Sequence, residues 1–203
     1  MSGEGAGNLR VPDASQVASM TTIKIENVVA TTLICKELDL QKTARALEGA
    51  HYDTDRFPGV VYRIKEPKTA MLLFRSGKVV CTGARSIADV GAAIAILARR
   101  IAAAGTPVVK KPEILVQNIV ASADLGTVLN LNTIAITLGL DRVEYEPEQF
   151  PGLVYRLDTP KVVTLIFGSG KIVLTGARNT EDIEAAVKRI HEDLENAGLL
   201  AHG

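Results

Sequence analysis

Short stretches of alternating hydrophobic and polar residues dominate the chain, and longer stretches with helical spacing separate them. Residues 22–31 alternate with a period of two, which predicts a strand with Ile23, Ile25 and Asn27 on one face. Asp39 then provides an N-cap for a short helix, because apolar residues follow it at helical spacing. The pattern therefore predicts a strand and then a helix at the start of the ordered chain.

Three short strands and a long helix follow in each half of the chain. The strands are predicted at residues 60–64, 70–74, 78–82, 153–157, 162–167 and 171–175. The helices are predicted from apolar stripes at Val90, Ile94, Leu97 and Ile101, and at Ile183, Val187, Ile190 and Leu194. Strands joined by hairpins are antiparallel, so the predicted fold class is α+β, with the helices on one face of a sheet.

The predicted elements occur twice because the sequence itself is duplicated. Residues 74–85 return at 167–178 with nine of twelve residues unchanged, and residues 57–64 return at 150–157. The offset is 93 in these blocks and 91 in the earlier strand and helix, which predicts an insertion of two residues around 139–143. A unit of this length is typical of a half-domain, so we expect a protein with pseudo-two-fold symmetry.

The predicted sheet is apolar on both faces. In strand 70–74, Leu72 and Phe74 point to one face while Met71 and Leu73 point to the other, and strand 78–82 alternates in the same way. Each half supplies enough helix to cover only one face. An uncovered apolar face indicates a binding surface.

The phenylalanines follow the duplication. The chain has four, Phe57, Phe74, Phe150 and Phe167, which form two repeat-related pairs on strands or strand edges. They could act as wedges for a partner, or they could fill the core twice. The residues alone leave both interpretations open.

Composition excludes several classes of function. Lys plus Arg and Asp plus Glu both number 23, which argues against a partner held by net charge alone. Two cysteines and three histidines share no ligand spacing, so we expect no metal and no other cofactor. No apolar run approaches about 20 residues, and we therefore expect no membrane partner.

Catalysis has little support in the sequence. Residues 168–171, Gly-Ser-Gly-Lys, are similar to part of a phosphate-binding loop, but Ile172 follows instead of Ser or Thr, and the segment lies in a predicted hairpin. No nucleophile and base, and no pair of carboxylates, recurs in both halves. We expect a binding protein and not an enzyme.

The doubled motif resembles the TATA-box-binding protein family. The resemblance rests on Asn-Val-Val-Ala at 27–30, Phe-Pro-Gly-Val-Val-Tyr-Arg at 57–63 and Ser-Gly-Lys-Val-Val-Cys-Thr-Gly-Ala-Arg at 76–85, each with its second copy, and it covers residues 22–198. Phe-Pro-Gly in both halves and the neutral charge resemble the archaeal branch. The glycines of residues 1–21 predict a flexible N-terminal tail, and the doubled motif predicts a first repeat at 22–109, a second repeat at 110–198 and a C-terminal tail at 199–203.

This resemblance implies a saddle: one curved antiparallel sheet, helices on the convex face, and the concave face astride DNA. The expected function is that of a general transcription initiation factor, which binds the minor groove of A·T-rich TATA elements and bends the DNA by inserting phenylalanines. It would then recruit transcription factor B and RNA polymerase.

The resemblance also implies a role for individual residues. The wedges would be Phe57, Phe74, Phe150 and Phe167. The residues that hydrogen-bond base edges would be Asn27, Thr82, Asn118 and Thr175. The floor of the groove would be lined by Val29, Leu72, Val80, Val120, Leu165 and Val173. The residues near phosphates would be Arg56, Arg63, Lys68, Ser76, Lys78, Arg85, Arg156, Lys161, Ser169, Lys171 and Arg178. Factor B would bind Glu144, Glu146 and Glu148.

Further expectations concern the partners of the protein and its location in the cell. Glu26 stands where the second repeat has Gln117, so a carboxylate is expected near phosphates in the first half. The exposed face also allows a weak homodimer in the free protein. We expect a cytoplasmic protein at the archaeal nucleoid, or a nuclear one if the source is eukaryotic. The alternative is a saddle-shaped module that binds an apolar ligand or a protein without sequence-specific DNA binding.

Overall fold

Apart from one additional two-residue strand in the second repeat, the same order of elements appears twice in the computed structural model, which describes residues 21–139 and 141–200. The first repeat contains β1 (Lys24–Leu33), α1 (Leu40–Ala46), β2 (Val60–Ile64), β3 (Thr69–Leu73), β4 (Lys78–Ala84) and α2 (Ile87–Ala103). The second contains β5 (Ile114–Asp124), α3 (Leu131–Leu138), β6 (Val143–Glu144), β7 (Leu153–Leu157), β8 (Val162–Ile166), β9 (Lys171–Ala177) and α4 (Thr180–Asn196). Most of the predicted N-terminal tail, the end of the C-terminal tail and Leu140 lie outside the described residues.

Among the described residues, nine strands form one antiparallel sheet in the order β2-β3-β4-β1-β5-β9-β8-β7-β6. The two repeats meet at β1 and β5, where Val28 pairs with Ile119. Counting outward from this central pair, both halves have the same order, so the pseudo-two-fold axis passes between β1 and β5. The predicted α+β class and the curved sheet with helices on its convex face are confirmed.

The insertion of two residues lies at the edge of the sheet. In the first repeat, His51 and Val61 form an isolated bridge. At the equivalent place in the second repeat, Glu144 pairs with Val154 and Val143 extends the contact into the short strand β6. The extra residues therefore lengthen the connection between α3 and the edge of the sheet and leave the other strands in register.

Each of the four helices in the described part of the chain begins at a side-chain cap, which accepts a hydrogen bond from a backbone N–H that has no partner within the helix. Asp39, Ser86, Asn130 and Asn179 each accept a hydrogen bond from the backbone N–H three residues later. Such caps stabilise a helix by about 1 kcal/mol each. The N-cap predicted at Asp39 is therefore confirmed by its geometry.

The helices cover one face of the sheet, and the core lies between the two layers. Tyr62, Met71, Leu73, Val79 and Cys81 are buried on this face. Arg100 of α2 donates a hydrogen bond to the Tyr62 hydroxyl, whereas in the second repeat the Tyr155 hydroxyl donates to Asp193 of α4, at 2.6 Å. Both hydroxyls are therefore hydrogen-bonded beneath the helices, but the Tyr62 hydroxyl accepts its hydrogen bond and the Tyr155 hydroxyl donates one.

The predicted face of the start of β1 is wrong. The register shifts between Ile25 and Asn27, where a β-bulge inserts one residue. Ile25 therefore pairs with Ala121 on the core side, and Ile23 also packs against the core, while Asn27 points to the opposite face. A simple period of two assigned these side chains to one face because it does not include the bulge.

Leu199 and Leu200, which the sequence assigned to the C-terminal tail, pack against the core and are partly buried. The backbone N–H of Leu199 donates to the carbonyl of Leu194 at 2.9 Å. The second repeat thus keeps contacts with the chain beyond the end of α4.

The β8–β9 turn generates a prediction about stability. Gly170 has φ +87°, and a Cβ atom there would overlap the carbonyl of Thr127. We expect Gly170→Ala to lower the free energy of unfolding by about 2–5 kcal/mol, because backbone strain and steric overlap add. Gly126 is a matched control: its φ is +72° but nothing lies within 4 Å of a Cβ atom.

The control Gly126→Ala should therefore cost only about 1–2 kcal/mol. Urea unfolding of both variants measures the two values. Equal losses would contradict the close packing of the turn against Thr127.

Candidate nucleic-acid interface

The face of the sheet opposite the helices is called here the open face, and two rows of side chains cross it. Each row follows directly from the strand pairing. The first consists of Val61, Leu72, Val80, Thr31 and Leu115. The second consists of Val154, Leu165, Val173, Ser122 and Lys24. Between them lie Asn27, Val29, Asn118 and Val120, where Asn27 pairs with Val120 and Val29 with Asn118.

Partial burial confirms that this face has no helical cover. The six residues predicted to line a groove floor are intermediate in exposure, while their neighbours along each strand are buried. Leu33 and Leu115, also on the open face, are 53% and 51% exposed. An apolar surface of this extent is typical of a binding site.

The four phenylalanines do not belong to the buried core. Phe57 and Phe74 contact each other edge to face with ring centroids 5.6 Å apart, and Phe150 and Phe167 do so at 5.9 Å. All four rings are partly exposed, and Phe150 reaches 39%. The interpretation that they fill the core twice is therefore wrong, and each repeat presents one pair of rings to solvent.

Each ring pair packs against one glycine, which leaves room for a ring because it has no side chain. A Cβ atom at Gly152 would lie 2.7 Å from Cε1 of Phe150 and 3.0 Å from Cε1 of Phe167. A Cβ atom at Gly59 would lie 2.8 Å from Cε1 of Phe57. The Phe-Pro-Gly sequence thus has a local reason: the phenylalanine ring packs directly over the backbone of the glycine two residues later.

The side chains of Asn27 and Asn118, at the centre, are held by backbone groups of the neighbouring strands β4 and β9, each of which has a β-bulge at this point. The N–H groups of Gly83 and Gly176 donate to Asn27 Oδ1 and Asn118 Oδ1, each at 2.7 Å. A backbone N–H can only donate, so these bonds fix which end of each amide is the acceptor. The Nδ2 group then lies towards a threonine hydroxyl.

That hydroxyl completes the network in both repeats. Asn27 Nδ2 donates to Thr82 Oγ1 at 3.4 Å, and Asn118 Nδ2 donates to Thr175 Oγ1 at 3.1 Å. An amide nitrogen carries two N–H bonds, and the network uses one of them. The centre of the open face therefore presents oriented hydrogen-bond donors that suit a ligand bearing acceptors.

All eleven residues predicted to lie near phosphates have exposed side chains. Arg63, Lys68 and Arg85 line a single groove of about 1600 Å³ at the edge of the first repeat. Arg56 is within 3.5 Å of Asp53, and Arg156 is within 3.2 Å of Glu144. These exposed ion pairs contribute little to stability, so both arginines can exchange partners at little cost.

Several residues of the open face were not predicted from the sequence. The two cross-strand rows add six residues to the predicted set: Val61, Thr31, Leu115, Val154, Ser122 and Lys24. The bulges at Glu26 and Gln117 explain why Lys24 and Leu115 were missed, because each bulge reverses the face of the residues before it, whereas the others keep the simple alternation. The signal that could have found them is the duplicated bulge motif itself, Glu-Asn-Val-Val at 26–29 and Gln-Asn-Ile-Val at 117–120.

Glu26 lies close to cations and hydroxyls. The Ser122 hydroxyl donates to Glu26 Oε1 at 2.8 Å, and Lys24 Nζ is 3.5 Å away. The hydrogen bond from Ser122, with the nearby charges of Lys24 and Arg85, holds the pKa of this carboxyl below its ordinary value. The carboxylate is therefore ionised at neutral pH on the open face.

The acidic segment before β7 is also exposed. Glu144, Glu146 and Glu148 all have exposed side chains, and the backbone N–H groups of Gln149 and Phe150 donate to the carbonyl of Glu146.

Within the described residues, no cluster of side chains could hold a metal ion. None of the helices in that same part of the chain is long and apolar enough to cross a membrane.

Comparison with known families matches both repeats. The family model described as "Transcription factor TFIID (or TATA-binding protein, TBP)" matches residues 22–104 and 113–197. This description denotes transcription factors and not enzymes.

Individual relatives agree with the family model. The chain is 56% identical to TATA-box-binding protein 2 of Methanosarcina mazei over 182 residues, covering 90% of this chain and 100% of that protein. It is 61% identical to TATA-box-binding protein 1 of Haloferax volcanii over 179 residues, covering 88% and 95%. The solved structure of Methanococcus jannaschii TBP matches with a TM-score of 0.80 at 51% identity, covering 86% of this chain and 98% of that one.

The packing of phenylalanine over glycine generates a prediction that needs no ligand. We expect Gly152→Ala to displace the rings of Phe150 and Phe167, because the new methyl group would occupy the place of the Phe150 ring edge. NMR spectra of protein labelled at phenylalanine would show both ring signals shifting while those of Phe57 and Phe74 stay in place.

Gly91→Ala on α2 is the control, since nothing lies within 4 Å of a Cβ atom there. It should leave all four ring signals unchanged. Unchanged signals of Phe150 and Phe167 in Gly152→Ala would show that the rings do not depend on this glycine.

Proposed function

The chain belongs to the TATA-binding protein family, and on that premise we propose that it binds the minor groove of A·T-rich TATA elements through its open face. It acts as a general transcription initiation factor and bends the DNA by inserting phenylalanines. The observation that carries this proposal is the pair of solvent-facing ring clusters at the two ends of an apolar face whose centre presents oriented amide donors. We further propose residues 22–109 and 110–198 as its two repeats.

The chemistry of the minor groove matches the centre of the open face. A·T pairs in either orientation present only the acceptors A N3 and T O2, whereas G·C pairs add the N2 amino donor of guanine. The amide groups of Asn27 and Asn118 and the hydroxyls of Thr82 and Thr175 can donate to these acceptors. The surrounding valines and leucines offer no acceptor to an amino group, so a buried G·C pair would cost about 1–3 kcal/mol.

The ring pairs suit a wedge role. Opening a base step costs about a few kcal/mol, a value for which proteins of this family are themselves the usual example, and it is offset by wider contact with the bent DNA. Each half of the open face has one pair of rings, and the pseudo-two-fold axis relates them. The two kinks would therefore lie at the two ends of the bound site.

The exposed cations suit the phosphate backbone on either side. We propose that the eleven exposed residues predicted for this role contact phosphates and fix the position of the duplex, as such contacts generally do. The net charge of zero means that these contacts depend on local placement and not on the overall field.

We also propose that the acidic segment of the second repeat binds transcription factor B, which then recruits RNA polymerase. The support is asymmetry: Glu144, Glu146 and Glu148 stand where the first repeat has His51, Asp53 and Asp55. A partner that reads this difference would distinguish the two ends of a nearly symmetric complex. Because the relatives named above come from archaea, we propose that the protein acts in the cytoplasm, at the archaeal nucleoid.

The wedge role predicts a coupled loss of affinity and bending. We expect Phe150→Ala with Phe167→Ala to weaken binding to an A·T-rich octamer by about 100-fold or more, because about 3–5 kcal/mol is typical for removing one large aromatic contact. Energy transfer between dyes on the DNA ends measures the bend, and gel shift measures the affinity.

Ile87→Ala with Val109→Ala is a matched control, since both side chains are large, apolar and exposed and belong to neither ring pair. This control should bind and bend the DNA as the unchanged protein does. Weaker binding by the phenylalanine variant with an unchanged bend would contradict the wedge role.

The amide donors predict a loss of discrimination. We expect Asn27→Ala and Asn118→Ala each to reduce the preference for A·T-rich over G·C-rich octamers by about tenfold, because one directed hydrogen bond contributes about 1–1.5 kcal/mol. Competition titrations with both octamers measure this ratio. Equal binding of both octamers by the unchanged protein would reject sequence-specific DNA binding, and no binding to either would favour a module for an apolar ligand.

A further inference from the structure

Two repeat-related edges flank the centre of the open face, and they differ in chemistry. We call the group formed by Lys24, Glu26 and Ser122 the charged edge. We call the group formed by Thr31, Leu115 and Gln117 the neutral edge. Glu26 and Gln117 both occupy the extra position of a β-bulge, so the backbone is the same and the side chains differ.

The charged edge holds its carboxylate in place on the open face. Ser122 Oγ donates to Glu26 Oε1 at 2.8 Å, and Lys24 Nζ lies 3.5 Å from the same oxygen. Both contacts use Oε1, so among the described residues Oε2 keeps its full capacity to accept a hydrogen bond. The side chain of Glu26 is 34% exposed, and a ligand on the open face can reach it.

The neutral edge carries no charge and a larger apolar surface. Gln117 Nε2 donates to Thr31 Oγ1 at 2.9 Å, which fixes the amide. Leu115, which takes the place of Lys24, is 51% exposed. A base pair above this edge meets a leucine and a neutral amide, whereas one above the charged edge meets an ionised carboxylate.

The two base-pair types differ in how they respond to a carboxylate. An A·T pair presents only acceptors in the minor groove, and these repel a carboxylate, while the N2 amino group of guanine is a donor. A hydrogen bond to an ionised acceptor is roughly twice as strong as one between neutral groups. Both effects favour a G·C pair at the charged edge over the neutral edge.

We propose that Glu26 is a specificity-determining residue that accepts the guanine amino group, so that the charged edge takes the half-site containing a G·C pair and thereby orients the protein on the DNA. This inference rests on the proposed binding of the minor groove and adds a rule for the direction of binding. The direction comes from the sheet itself and requires no second protein.

The duplication provides a sharp test, because the two residues can be exchanged. The DNA is the self-complementary octamer 5′-TATATATA-3′, on which both orientations are equivalent, and duplexes in which a single G·C pair replaces each A·T pair on one side of the centre in turn. Orientation is measured by energy transfer between a dye on one DNA end and a dye on Ala92→Cys, an exposed position on α2. The native Cys35 and Cys81 are buried, and burial raises the pKa of Cys81 to about 11, so the dye reacts at the new site.

The unchanged protein should show an orientation ratio on the order of fivefold to tenfold on at least one of the substituted duplexes, the effect of one charge-assisted hydrogen bond. Glu26→Gln should bring this ratio close to one. The exchange variant, Glu26→Gln with Gln117→Glu, should reverse the preferred orientation on the same duplex.

Two results would overturn the inference: equal orientations of the unchanged protein on every substituted duplex, or the same preferred orientation in the exchange variant. Thermal unfolding checks that both variants fold. Binding to the unsubstituted octamer distinguishes the proposed function from the role of Glu26. If the unchanged protein does not bind this octamer, minor-groove binding itself is rejected. If it binds normally but shows no orientation effect on the substituted duplexes, only the role of Glu26 is rejected.

Discussion

The antiparallel pairing of β1 with β5 is the interaction on which the rest of the structure depends. It joins two repeats into one sheet and brings Asn27 opposite Val120 and Val29 opposite Asn118. Because each repeat supplies helices for only one face, the opposite face remains open along the whole sheet. Separate repeats would each leave the edge of a central strand unpaired, with its N–H and C=O groups exposed.

The β-bulges in β4 and β9, the strands that flank this pair, position the side chains of the candidate site. Each bulge changes the face to which the following side chains point, and it directs a glycine N–H to the asparagine of the neighbouring strand. Backbone geometry thus orients the amide groups before any ligand arrives. Groups oriented in this way lose little conformational freedom on binding, which favours affinity and specificity together.

Duplication preserved most of the core and allowed the surface to diverge. The core-facing positions of α2 and α4 are apolar except for the buried His191, which stands where α2 has Ala98, whereas Arg100 beside Tyr62 has become Asp193 beside Tyr155. On the open face the same divergence separates Glu26 from Gln117 and Lys24 from Leu115. A symmetric scaffold with unequal edges can bind a nearly symmetric duplex and still distinguish its two ends.

Much of this arrangement could be predicted from the sequence because the signals are local and occur twice. The alternation in 70–74, the helix caps and the repeated Phe-Pro-Gly all depend on neighbours within a few residues. The faces of Ile25, Lys24 and Leu115 could not be predicted, because they depend on β-bulges that shift the register between distant strands. The exposure of the phenylalanines likewise required the packed helices, since only the complete core shows which apolar residues it leaves out.

The position of the four rings in a crystal structure of the chain bound to an A·T-rich duplex is the most direct measurement of the central claim. The account predicts that the open face covers the minor groove and that the ring pairs, Phe57 with Phe74 and Phe150 with Phe167, lie between unstacked base steps at the two ends of the site. A duplex bound along the helices, or one that lies on the open face with every base step stacked, would contradict it.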